Sequence, residues 1–173
     1  MKTVRISIGL PSSGKSTYFK KLMAKMNVPH AFLNADMVCE ELNGNSLDRS
    51  DFENVSRIHK WKYKKLLLSQ DVQEILIDNT SLDEEVRSQY YQIPESLGLV
   101  IGKDLQFKLY YFDISGEDCK KLQENRDRKV PNDVINQMAK RIYFPNFDET
   151  YRFGKAPVVI LEKKDILNNI LYF

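Results

Sequence analysis

Gly9-Leu10-Pro11-Ser12-Ser13-Gly14-Lys15-Ser16-Thr17 is a complete G-x-x-x-x-G-K-[ST] loop. It follows an apolar, β-branched run (Val4, Ile6, Ile8) and opens a helix-like stretch from Lys15 to Met26. Strand, loop and helix in that order are what phosphate binding needs. Backbone N–H groups curl around the β- and γ-phosphates, and the following helix turns its positive end toward them. Gly9 and Gly14 permit close approach and backbone angles that a Cβ forbids. Lys15 adds a cation, and the Ser16 hydroxyl is a magnesium ligand. The residues from Gly9 through Pro11, Ser12, Ser13, Gly14, Lys15 and Ser16 to Thr17 are therefore expected to hold ATP or another nucleoside triphosphate with Mg²⁺.

Working outward, apolar strand-like runs alternate with helical patterns. The runs are Thr3–Ile8, Ala31–Leu33, Glu74–Ile77, Phe107–Phe112 and Pro157–Leu161. The helical stretches are Lys15–Met26, Asp36–Leu42, Phe52–Leu68, Asp83–Leu97, Glu117–Asn125 and Asn132–Ile142. This alternation predicts an α/β fold with a five-stranded parallel sheet flanked by helices. Phe52, Val55, Ile58 and Leu66 are expected to line the core stripe of the long helix. Asn43–Asp51 and Tyr143–Gly154 read as irregular.

The 173 residues suit one domain spanning 1–173, with a C-terminal segment over 157–173. Composition is ordinary for a globular protein: 42% apolar and 29% charged. No long apolar run and no secretory pattern appear, so a cytoplasmic protein without membrane contact is expected. Two cysteines, Cys39 and Cys119, make neither a disulfide framework nor a zinc site. A net charge of +2 does not by itself imply nucleic acid. Two basic clusters stand out, Lys60–Lys65 around Trp61 and Tyr63, and Lys120–Lys129. Each reads either as a solvated helix face or, for the first, as a groove with stacking surfaces.

In open α/β sheets, ligands bind beyond the carboxyl ends of the strands. There lie Asn34-Ala35-Asp36, Asp78-Asn79-Thr80 and Asp113-Ile114-Ser115-Gly116. Asp36 ends a strand and begins a helix, where it serves either as an N-cap or as a base taking a proton from a bound hydroxyl. Asp78 is placed to orient Mg²⁺ through a water, and Asn79 and Thr80 to hold an acceptor. Arg126 and Arg128 precede Val130-Pro131 in a short basic segment near 125–131, placed as a lid over the triphosphate. Asp113–Gly116 matches D-x-x-G, but no N-K-x-D accompanies it, which excludes a switch GTPase.

These stretches resemble, in order and spacing, the kinase domain of bacteriophage polynucleotide 5′-kinase. The resemblance rests on ISIGLPSSGKSTYFKKL, Asn34-Ala35-Asp36, Ile77–Leu82 and Asn125–Pro131, and covers most of 1–145. It implies an adenylate-kinase-like fold, with Lys15 and Ser16 on phosphates and metal and Asp36 as general base for a 5′-hydroxyl. It further implies that Thr80 lies beside the acceptor and that Arg126 is the lid cation. The family places arginine three residues after the base, where this chain has Cys39. Arg49, Arg57 and Arg87 are the candidate substitutes. The D-x-D-x-T phosphatase signature is absent, so a ligase or 3′-phosphatase partner would lie on a separate chain. The sequence thus points to an ATP-dependent kinase of 5′-hydroxyl DNA or RNA ends. A kinase of a small molecule or aminoacyl-tRNA, and a non-catalytic nucleotide switch, are the alternatives.

Overall fold

A computed structural model of the chain describes residues 1–45, 51–124, 126, 129–168 and 170–171. Its strands are β1 (Lys2–Ile8), β2 (His30–Leu33), β3 (Glu74–Ile77), β4 (Leu105–Asp113) and β5 (Val158–Glu162). All five pair in parallel in the order β2-β3-β1-β4-β5. Each expected strand forms, its ends shifted by no more than two residues. Because β1 sits in the middle, the loop after it opens at the point where the winding changes sides, which is where such sheets bind ligands.

Helices cover both faces. They are α1 (Lys15–Ala24), α2 (Ala35–Asn43), α3 (Phe52–Leu68), α4 (Glu84–Ser96), α5 (Gly116–Leu122), α6 (Asn132–Ala139), α7 (Phe147–Arg152) and α8 (Lys163–Leu167). Strand alternation splits the core in two. Val4, Ile6, Ile8, Phe107 and Leu109 face α3 and α4 through Tyr63, Leu67, Tyr90 and Tyr91. Leu76, Tyr110 and Phe112 face α1, α5 and α6 through Phe19, Leu22, Cys119 and Ile135. No helix of the described residues is long and apolar enough to cross a membrane.

Two expectations need correction. The buried stripe of α3 is Val55, His59, Tyr63 and Leu67, while Phe52 is exposed and Ile58 and Leu66 are half-buried. Polar tips make this stripe hard to see. The Tyr63 hydroxyl donates to the Tyr90 carbonyl at 3.0 Å, which lets an amphipathic ring sit inside. Within Tyr143–Gly154, expected to be irregular, lies α7. Its N-cap is Asn146, whose Oδ1 accepts from the Glu149 N–H at 2.8 Å. That cap, directly after Pro145, is the signal the sequence carries for it.

Candidate functional site

The loop between β1 and α1 is held by local geometry. Ser12 and Gly14 take positive φ angles of 64° and 89°. A Cβ on Gly9 would lie 2.8 Å from Phe112 Cβ and from Ser13 Oγ, so only glycine fits. One on Gly14 would lie 2.8 Å from Ile166 of α8, which packs the C-terminal segment against the loop. Lys15 folds back into the loop: its Nζ donates to the Leu10 carbonyl at 2.5 Å, and the residue is 8% exposed. Burial lowers its pKa from the ordinary lysine value, the Asp78 and Asp36 carboxylates oppose that shift, and Arg126 adds to it. One ammonium therefore senses all three groups that sequence reasoning places at the rim.

On the β2–β3 side, the structure is a hydrogen-bonded lattice. Asn34, not Asp36, caps α2: its Oδ1 accepts from the Asp36 N–H at 2.7 Å. The Asn34 amide nitrogen donates to the Asp78 carbonyl at 2.8 Å and to Asp78 Oδ2 at 3.0 Å. Asp78 itself is buried. Asp36, the second residue of α2, is half-buried and relieved of the capping role.

Asn79 proves to be a strut. Its Oδ1 accepts from the Ala35 N–H at 3.0 Å, and its Nδ2 donates to the Tyr90 hydroxyl at 2.9 Å. The same Nδ2 lies 3.0 Å from His59 Nε2. Burial and the cations Lys60 and Lys62 push the His59 pKa down to about 4, so the ring is neutral near pH 7 and its Nε2 accepts. Asn79 therefore joins α2, α3 and α4 and does not present its amide to an acceptor. Thr80 is tied to the loop by its backbone, its carbonyl accepting from the Gly9 N–H at 2.9 Å.

Across the rim, Arg126 Nη1 donates to Ser12 Oγ at 3.1 Å. Gln123, a buried side chain at the end of α5, reaches across to Val130. Its amide donates to the Val130 carbonyl at 2.8 Å and accepts from the Val130 N–H at 2.9 Å. Arg128 and Arg49 lie outside the described residues. Ser16, the second residue of α1, is half-buried, Thr17 beside it is exposed, Pro11 is half-buried and Ser13 is fully buried. Sequence reasoning misses Asn34 as cap, and also His59, Tyr90 and Gln123, which belong to no contiguous motif.

One of the three candidate arginines is sealed inside. Arg87 is 1% exposed and grips Glu149 of α7 with Nε and Nη2, the latter at 2.8 Å. Arg57 is exposed on α3 and bonds Asn54. Cys39 is buried with Val38 and Val55 between α2 and α3.

Among the described residues, no group of three or more His, Cys, Asp or Glu side chains could hold a metal ion. The oxygens present, the Ser16 hydroxyl and the Asp78 carboxylate, are hard donors of the kind Mg²⁺ takes together with phosphates and waters.

Comparisons with known proteins follow the same lines. The chain is 26% identical over 96% of its length to an L-seryl-tRNA(Sec) kinase of Methanococcus maripaludis, and spans 64% of that protein. Its fold superposes on Chaetomium thermophilum Kti12 in complex with ADP-AlF3 with a TM-score of 0.67 and 16% identity, covering 94% of this chain and 90% of that one. A chain of the Pnkp1/Rnl/Hen1 RNA repair complex gives a TM-score of 0.59 and 18% identity, covering 82% of this chain and 44% of that one. The family model for the AAA domain matches residues 4–145, from β1 through the phosphate loop to the end of α6 and beyond, and the chain belongs to that family.

Proposed function

We propose that this chain is a phosphotransferase moving the γ-phosphate of ATP to a primary hydroxyl carried on a nucleic acid. The observation that carries the reading is the phosphate loop itself, with positive φ at Ser12 and Gly14, Lys15 folded into it and Arg126 donating to Ser12 across the rim. Phosphoryl transfer needs little more than phosphate positioning, a proton acceptor and cations. In this reading Asp36 takes the acceptor's proton, while Lys15 and Arg126 balance charge on the transferring group. Ser16 and Asp78 would hold Mg²⁺, which when bound neutralises charge on the phosphate oxygens. The O–P bond to the acceptor forms as the β–γ bridge breaks, leaving ADP.

The first acceptor is the 5′-hydroxyl end of DNA or RNA, supported by the ordered motifs shared with polynucleotide 5′-kinases. A ligase or 3′-phosphatase on another chain is the corresponding partner. A second acceptor, the seryl hydroxyl of an aminoacyl-tRNA, is supported by the likeness to the L-seryl-tRNA(Sec) kinase along 96% of the chain. Both are primary alcohols attached to nucleic acid, which is why one site suits either. The test is label transfer from γ-labelled ATP to 5′-hydroxyl oligonucleotides and to seryl-tRNA. Labelled product in one arm names the acceptor. No transfer to either would overturn the nucleic-acid acceptor, leaving a small-molecule kinase or, with slow hydrolysis alone, a nucleotide switch.

A further inference from the structure

The segment between α6 and β5 carries an exposed aromatic surface that the phosphate site does not use. Tyr143 is 64% exposed, Phe147 80% and Tyr151 60%, with Phe144 half-exposed against Tyr111. Among the described residues, four of the six exposed aromatic side chains fall within these nine positions. Their outward direction is imposed by the fold. Glu149 is locked inward by its bidentate pair with buried Arg87. Phe147 and Tyr151 lie two residues to either side of it, about 160° around a helix of 3.6 residues per turn. With Glu149 inside, both rings must face solvent, on one side of α7.

The surface is continuous with the rim. The Tyr143 N–H donates to the Leu82 carbonyl at 2.9 Å, two residues beyond Thr80, and Arg141 pairs with Asp83 at 2.8 Å. At its other end, Tyr151, Arg152 and Lys155 line a cavity of about 630 Å³ with Leu99 and Val100, near the start of β4. Within 140–155, Lys140, Arg141, Arg152 and Lys155 are exposed cations against one exposed carboxylate, Asp148, with Arg141 and Arg152 also pairing with Asp83 and Glu84 beside the segment. Lys155 sits over the Tyr151 ring at 5.9 Å. Planar rings interleaved with cations suit stacked bases and a phosphate backbone.

We propose that Tyr143, Phe147 and Tyr151 form a stacking track for single-stranded nucleic acid, leading away from the rim toward the cavity behind α7. The track rests on the nucleic-acid acceptor reading and names the surface on which the acceptor's body lies. The test is fluorescence anisotropy with a dye-labelled single-stranded 12-mer bearing a 5′-hydroxyl, without ATP, on wild type, Phe147→Ala, Phe147→Leu and Phe147→Tyr. Phe147 is exposed, so each variant is expected to fold. Loss of one stacked base weakens affinity about 5- to 100-fold. That loss is expected for Ala and Leu but not for Tyr, with ATP affinity unchanged throughout.

Full affinity in Phe147→Ala or in Phe147→Leu overturns the track. So does wild-type protein that fails to bind the 12-mer. Self-association abolished by Phe147→Ala, with 12-mer binding intact, would make the face a contact between copies instead. The two readings fail separately. Ring-dependent binding without transfer to any hydroxyl sinks the kinase and leaves the track, whereas transfer with an unaltered KM in Phe147→Ala sinks the track alone.

Discussion

On the loop side of the rim, nine consecutive residues, Gly9 to Thr17, make the geometry, with their own backbone angles setting most of it. On the β2–β3 side, Asn34, His59, the Asp78-Asn79 pair and Tyr90 come from four places in the chain and meet through tertiary hydrogen bonds. A contiguous motif states its purpose in sequence because spacing and conformation are fixed together. A discontinuous lattice does not, since each member is an ordinary residue until the fold supplies its partner. Damage to the loop side should therefore be local and chemical. Damage to the lattice should mix chemistry with stability.

The sharpest break falls where the lattice meets chemistry. Asp36→Asn is expected to lower kcat by about 10²–10⁴-fold with ATP affinity little changed, as for loss of a general base. Because Asn34 holds the cap, the substitution leaves the α2 start intact while giving up about 0.3–1 kcal/mol of helix-dipole attraction. Single-turnover kinetics beside a denaturation curve separate the two. Wild-type turnover would remove Asp36 from the chemistry.

Lys15→Ala probes the loop side. Loss of one preorganised cation is expected to cost about 10²–10³-fold in kcat. The melting temperature should hold or rise, because a buried ammonium held below its ordinary pKa by desolvation is removed. A variant that turns over normally would break the phosphate-loop reading, and one that unfolds would make the loop side as interdependent as the lattice.

How much of this is legible in the sequence follows from the same contrast. All five strands, the phosphate loop and Arg126's approach to it can be read from the chain, because apolar runs and a fixed-spacing motif are local signals. Asn79 stands at the right position after β3 for an acceptor group, but its amide bonds Ala35, Tyr90 and His59. Arg87 looks like a spare cation, though it is sealed against Glu149 of a helix that a proline and an aromatic-rich composition conceal. Polar residues that face inward break periodicity, and pairing between distant ones leaves no trace in either segment alone.

His59 gives the lattice a pH signature that the loop lacks. Its folded pKa of about 4 lies below the ordinary 6.5, so the unfolded chain binds the proton first. Its contribution is complete above pH 6.5 and is lost as pH falls from 6.5 toward 4, by roughly 3 kcal/mol at most. Urea denaturation at pH 7.5 and 4.5 should show that loss in wild type. His59→Gln, whose amide oxygen can still accept from Asn79, should lack it. An equal loss in both would place the acid sensitivity elsewhere.

The smallest effect is expected on α3, the other surface where aromatics and lysines mingle. Tyr63 is fully buried, Lys62 is paired with Glu41, and the Lys65 ammonium lies 4.1 Å from the Trp61 ring centre. Only Trp61 of the two aromatics can meet a base, and Lys62 and Lys65 already have partners on the protein. Exposed pairs of this kind are worth at most about 1 kcal/mol, so Lys62→Gln with Lys65→Gln should weaken single-strand affinity by no more than about fivefold. Every phosphate that a lysine neutralises on a single strand adds about 0.7 to the steepness of log K against log salt. Here the slope should stay close to wild type. The measurement is 12-mer affinity at two salt concentrations, set beside Phe147→Ala. A tenfold loss with a slope shallower by about 1.4, for two phosphates, would move the acceptor's path to α3. Helix phase, which turns Tyr63 inward and Phe147 outward, would then not decide which surface the nucleic acid meets.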